Sequence, residues 1–169
     1  MPKGLKETSS LIQVGAFVTE SAAGTFTSKR IDLQLNPLDN EVFIVYGIDI
    51  DLEAPDLIAN AVTLTQASIS TTERTSVGSL NASNVLAASR IETQDVGGTS
   101  SVTNEYSSDS APATQLEYLG IIATNDFYVN ILGSAAHAAA KTMNCRVYGV
   151  RARADASVYA ALVQSEVLS

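Results

Sequence analysis

The chain is poor in the residues that usually carry chemistry. Its 169 residues include one cysteine, Cys145, one histidine, His137, and no tryptophan. A lone cysteine excludes an intramolecular disulfide framework, and its ordinary reading is a small buried hydrophobe. A lone histidine means that any Ser–His–Asp or Cys–His arrangement has to use it. It lies in Ser134-Ala135-Ala136-His137-Ala138-Ala139-Ala140 with no carboxylate beside it in sequence, which predicts a packed or solvated loop position. Too few Cys and His are present to assemble a zinc site at the usual spacings, and no cofactor fingerprint occurs. Gly97-Gly98 lacks the strand, helix and glycine spacing of a phosphate-binding loop.

Charge is also scarce. Charged residues make up 17% of the chain, against about 25% in an ordinary soluble domain. Ten Lys and Arg stand against 18 Asp and Glu, a net charge of −8. The N-terminus carries only Lys3 and Lys6, so no basic arm is available to neutralise nucleic acid, and no direct sequence-specific nucleic-acid binding is expected. No apolar run of 18 residues exists to span a membrane. The first residues lack the apolar stretch of a signal peptide, which leads to the expectation of synthesis in a cytoplasm.

What the chain does have is small residues. It contains 23 Ala, 19 Ser and 15 Thr, about a third of its length. One domain's worth of sequence with this little charge leads to the expectation that part of its surface is covered by copies of itself.

Alternation of period two dominates. Strands are predicted at 11–18, 26–35, 41–53, 60–71, 84–92, 115–123, 126–133 and 142–153. Val42-Phe43-Ile44-Val45-Tyr46 is a continuous β-branched and aromatic run, and Gly47 after it marks a bulge or a bend. Residues 1–10 read as a flexible N-terminal segment. The polar stretch 93–114 reads as a long surface loop, with a weak strand around Val102 to Tyr106 as its rival. After Asp155, a candidate N-cap, the period becomes helical: Val158, Tyr159, Leu162, Val163 and Val167 share one face, predicting a helix over 156–167. Nothing of helical period lies between the strands, so a parallel βαβ sheet is excluded in favour of a single all-β antiparallel sandwich or barrel. Eight strands fit a jelly roll, and a seven-stranded sandwich with one added edge strand fits the same count.

Two constellations invite a functional reading. Asp49, Asp51 and Glu53 line one strand face and form a weak candidate cation site, since a hard cation would relieve their repulsion. The competing reading is a solvated strand face. Arg151 and Arg153 share a face of the last strand. They are candidate subunit contacts, able to pair bidentately with an acidic face such as 49–53 on a neighbour. The helix face of Val158, Tyr159, Leu162 and Val163 is expected to dock on the barrel or on a neighbouring copy.

The C-terminal quarter carries a resemblance. The run Asn125-Asp126-Phe127-Tyr128-Val129-Asn130-Ile131, the small-residue loop, then Cys145-Arg146-Val147-Tyr148-Gly149-Val150-Arg151-Ala152-Arg153-Ala154-Asp155 and Val158-Tyr159-Ala160-Ala161-Leu162-Val163-Gln164-Ser165-Glu166 resembles the end of single-jelly-roll major capsid proteins of tailless icosahedral viruses of bacteria or archaea. The resemblance implies an eight-stranded antiparallel jelly-roll subunit that tiles an icosahedral shell, found in the virion, with no enzyme activity and no cofactor. Its implied partners are copies of itself, and a second capsid or penton protein is compatible. The missing basic arm departs from many RNA-virus capsids. It favours a genome held inside an internal membrane or by a second protein.

Overall fold

The computed structural model describes residues 3–98, 100–107 and 117–168. Among these residues ten strands precede one α-helix: β1 (Leu5–Glu7), β2 (Ile12–Thr19), β3 (Thr27–Asp32), β4 (Glu41–Leu52), β5 (Val62–Ser70), β6 (Val85–Gly97), β7 (Ser100–Ser107), β8 (Gly120–Ile122), β9 (Asp126–Gly133), β10 (Thr142–Ala154) and α1 (Ala156–Val167). They form two five-stranded sheets in which every pairing is antiparallel. In the first, β10 lies between β4 and a shared edge: β2 pairs with Thr142–Gly149 and β1 with Ala152–Ala154, while β8 lies beyond β4. The second runs β3-β9-β5-β6-β7.

The alternation seen in sequence becomes the sandwich core. Phe127, Val129 and Ile131 of β9, Ala67 and Ile69 of β5, and Met143, Cys145 and Val147 of β10 point between the sheets. Phe127 and Ile69 are fully buried, each worth roughly 1.5–3 kcal/mol relative to exposure. The Val42–Tyr46 run has a separate cause. β4 and β10 slip register at Gly47, where Tyr148 faces Gly47 and Gly149 faces Val45, leaving Tyr46 as the extra residue. The bulge inverts the alternation. Phe43 and Val45 enter the core before it, Ile48 and Leu52 after it. Val42 and Ile44 point to the opposite face, where α1 covers them. Both faces of this stretch are buried, so it reads as continuously apolar. The β10 residue at the slip must be small: a Cβ on Gly149 would lie 2.3 Å from the Ile44 carbonyl oxygen and 2.5 Å from the Phe43 ring.

Four boundaries differ from expectation. Residues 5–7, within the segment expected to be flexible, form a strand held against Ala152–Ala154. The expected loop 93–114 is, in its described part, the end of β6 and all of β7, which pair across Ser89–Asp95 and Ser101–Ser107; positions 108–114 lie outside the described residues. β3 stops at Asp32 because Gln34 adopts a left-handed backbone at φ 53°. Leu33 and Leu35 remain buried without strand pairing, their N–H groups held by the backbone and side chain of Asn125. The strand expected over 115–123 shrinks, in its described part, to three residues.

The helix spans the predicted residues. Asp155 occupies the N-cap in extended conformation, but its carboxylate makes no capping hydrogen bond.

Candidate functional site

The acidic strand face does not converge. Asp49 accepts a hydrogen bond from the Tyr148 hydroxyl at 3.0 Å and lies opposite Arg146 in the ladder. Asp51 lies opposite Asn144. Glu53 turns to the strand end, where it accepts from the Thr142 N–H at 2.9 Å and sits 3.5 Å from Lys141 Nζ. Successive same-face residues on a strand stand about 7 Å apart, and each of these carboxylates has a different neighbour. Among the described residues no group of three His, Cys, Asp or Glu side chains is arranged to hold a metal ion. The candidate cation site is therefore not assembled by the fold.

The arginine pair is engaged within the chain. Arg151 donates to the Leu33 carbonyl at 2.8 Å, to the Gln34 carbonyl at 3.2 Å and to Glu41 at 3.2 Å. It anchors the irregular segment after β3 to β10 and is not free to grip an acidic face on a neighbour. Arg153 meets Asp39 at 3.0 Å with both side chains more than half exposed, the kind of pair worth about 0–1 kcal/mol.

The helix docks on its own sheet. Val158, Tyr159, Leu162 and Val163 are half-buried against Val42, Ile44, Val150, Ala152 and Ala154. Glu166, one turn beyond Leu162, is buried and receives the N–H groups of Ala123 at 2.8 Å and Thr124 at 2.9 Å. Burial pushes its carboxyl pKa up, partly opposed by those two hydrogen bonds. Nothing in the sequence pattern singled it out: a glutamate near a helix end reads as solvated.

Three residues missed in sequence, Glu20, Asp56 and Lys141, gather with His137 at the end of the sandwich beneath loop 134–141. Buried Glu20, just after β2, accepts from the Gly133 N–H at 2.7 Å and the Lys141 N–H at 3.0 Å, clamping both ends of that loop. Asp56 accepts from Lys141 Nζ at 2.7 Å and from the Ala138 N–H at 2.8 Å. The Lys141 hydrogen bond, then the Ala138 one, hold the Asp56 carboxyl below its ordinary range. Burial works against the Lys141 charge, yet Asp56 and Glu53 outweigh it and raise its pKa. His137 is buried in the same cluster, and among the described residues neither ring nitrogen has a hydrogen-bond partner. Burial, then the Lys141 charge, lower its pKa. The group fixes a loop, and its carboxylates are occupied by backbone N–H groups. Cys145 is buried, and that burial pushes its thiol up to about 11, which makes it an inert core residue.

An open groove of about 640 Å³ beside β5, β6 and β7 is lined by Gln66, Ser79, Leu80, Arg90, Glu105 and Tyr106 among others. The Arg90 guanidinium stands 5.0 Å from the Tyr106 ring centroid and 3.5 Å from Glu92.

No protein-family model matches the chain, and a search of the curated proteins finds no match either.

Proposed function

We propose that this chain is a jelly-roll capsid subunit that assembles with copies of itself into a closed icosahedral shell around a genome. The observation that carries the reading is strand order. Setting aside the short β1 and the added edge strand β7, the sheets read β2-β10-β4-β8 and β3-β9-β5-β6. Successive strands cross from sheet to sheet except at the β5–β6 hairpin. This order supports a reading as two interlocked Greek keys, the jelly-roll arrangement common in viral capsid and lectin domains. A fold hosts many functions, so the reading also leans on surface composition and on the capsid-like C-terminal quarter, whose residues form β9, β10 and α1. Low charge and abundant Ala, Ser and Thr suit a surface that packs against its own copies.

The groove on the second sheet favours one alternative, a carbohydrate-binding module. Tyr106, Arg90, Gln66 and Glu105 supply a ring and polar groups of the kind sugars contact. Electron microscopy of the purified protein separates the two. Uniform closed particles are expected. Monomers that bind a defined glycan on an array, and form no particles, would favour the alternative. Persistent small oligomers would point to a minor virion or spike protein.

A further inference from the structure

β7 lies at the end of the second sheet, and none of its residues is buried. All eight of its residues are exposed, and among the described residues it pairs only with β6. Ordering a strand costs backbone entropy that burial of one face ordinarily offsets; here no residue of the strand is fully covered. Natural sheet edges are usually blunted by charge, proline or shortness. The opposite edge of the same sheet obeys this, since β3 carries Lys29, Arg30 and Asp32. β8, an edge of the first sheet, has only three residues. β7 is long, contains no proline or lysine, and carries the single charge Glu105.

We infer that β7 is an interaction edge, and that its occupant is β7 of a second copy, paired antiparallel across a two-fold axis. The inference rests on the self-assembly reading above and names the surface involved. A two-fold normal to the sheet pairs residues of equal parity, and the register centred on Asn104 is self-complementary. It sets Val102 opposite Tyr106 of the partner subunit, twice, a β-branched–aromatic cross-strand pair. Val102 and Tyr106 are both about half exposed in the single chain. Thr103 lies opposite Glu105 of the partner subunit, so the one charge on the strand never meets its like. Ser101 and Ser107 face each other, and Asn104 faces itself. Tyr106 already lies under Arg90, so the pairing extends an existing cation–ring contact on the outer sheet face. Seven residue pairs bury less than a standard interface of about 1,200–2,000 Å². The contact is therefore weak for an isolated pair and gains strength when many copies close a shell.

Directly opposed residues in an antiparallel pair have Cα atoms about 4.5–5.5 Å apart, within disulfide reach. The test is oxidative cross-linking of full-length Asn104→Cys, with Gln164→Cys, on the exposed side of α1, as control. Cys145 is buried and serves as an internal blank. Asn104→Cys is expected to form a cross-linked dimer at least about tenfold faster than the control. Separately, Asn104→Lys opposes two ammonium groups at the centre and is expected to weaken association by about tenfold or more, equivalent to about 1.4 kcal/mol, with unchanged circular dichroism. Equal cross-linking rates, or unchanged association of Asn104→Lys, overturn the inference. Wild-type shells without Asn104→Cys cross-links would defeat this inference alone. Cross-linked dimers without shells would defeat the capsid reading and leave the edge contact standing.

Discussion

At the residue scale, His137 gives the most specific pH expectation. It is the chain's single histidine, and burial holds its pKa below the ordinary value. The unfolded chain then binds its proton first as pH falls, so stability drops below about pH 6.5. Glu166 has the opposite sign: its pKa is raised in the fold, so its contribution falls as pH rises from the ordinary glutamate range. Thermal melts from pH 7.5 to 5.5 should show a lower Tm at acid pH, and His137→Gln should flatten that slope; identical slopes would refute the assignment. Removing the Glu166 carboxylate leaves two inward N–H groups without their acceptor. Glu166→Ala should cost about 2–3 kcal/mol in urea unfolding. Gly149→Ala should cost about 3 kcal/mol through its clash with Ile44 and Phe43. Beyond the packed loop position open to His137, these roles were not legible in sequence. Glu20, Asp56, Lys141 and Glu166 are separated by tens of residues from the groups they hold, and one-dimensional periodicity carries no record of such pairs. Arg151 was noticed for its charge, but its partners, the carbonyls of Leu33 and Gln34, belong to a segment whose left turn at Gln34 left no pattern.

At the element scale, strands with one buried face were the easiest to read. β9 and β10 alternate, as does β4 after Gly47, which marked the bulge that inverts it. The helix was legible for the same reason: Val158, Tyr159, Leu162 and Val163 recur at helical spacing because one face meets the sheet. β7 was nearly invisible because a strand exposed on both faces has no reason to alternate. β1 is too short to show a period and is held by pairing with β10. The helix docking makes its own expectation. Truncation after Asp155 uncovers Val42, Ile44 and Val150 on the outer sheet face. The truncated chain should melt well below the full-length protein and lose particle yield; unchanged melting would show that α1 contributes nothing to the subunit.

At the scale of the whole molecule, the scarcity of charge takes on a location. The chain bears a net charge of −8, yet its Arg151, Lys141 and Arg30 are committed to partners within the subunit. Exposed Leu11, Phe17, Leu57 and Leu80, together with β7 and its single charge Glu105, are left facing outward. Contacts between copies would then be chiefly apolar and backbone-mediated, opposed by the like net charge. Raising ionic strength should therefore promote assembly. Sedimentation velocity across a concentration series, at low and at moderate salt, tests this most directly. Self-assembly into a closed shell requires a sharp threshold, above which one fast boundary of uniform size appears beside the remaining subunit and grows at its expense. A single subunit boundary at every concentration and salt would contradict it.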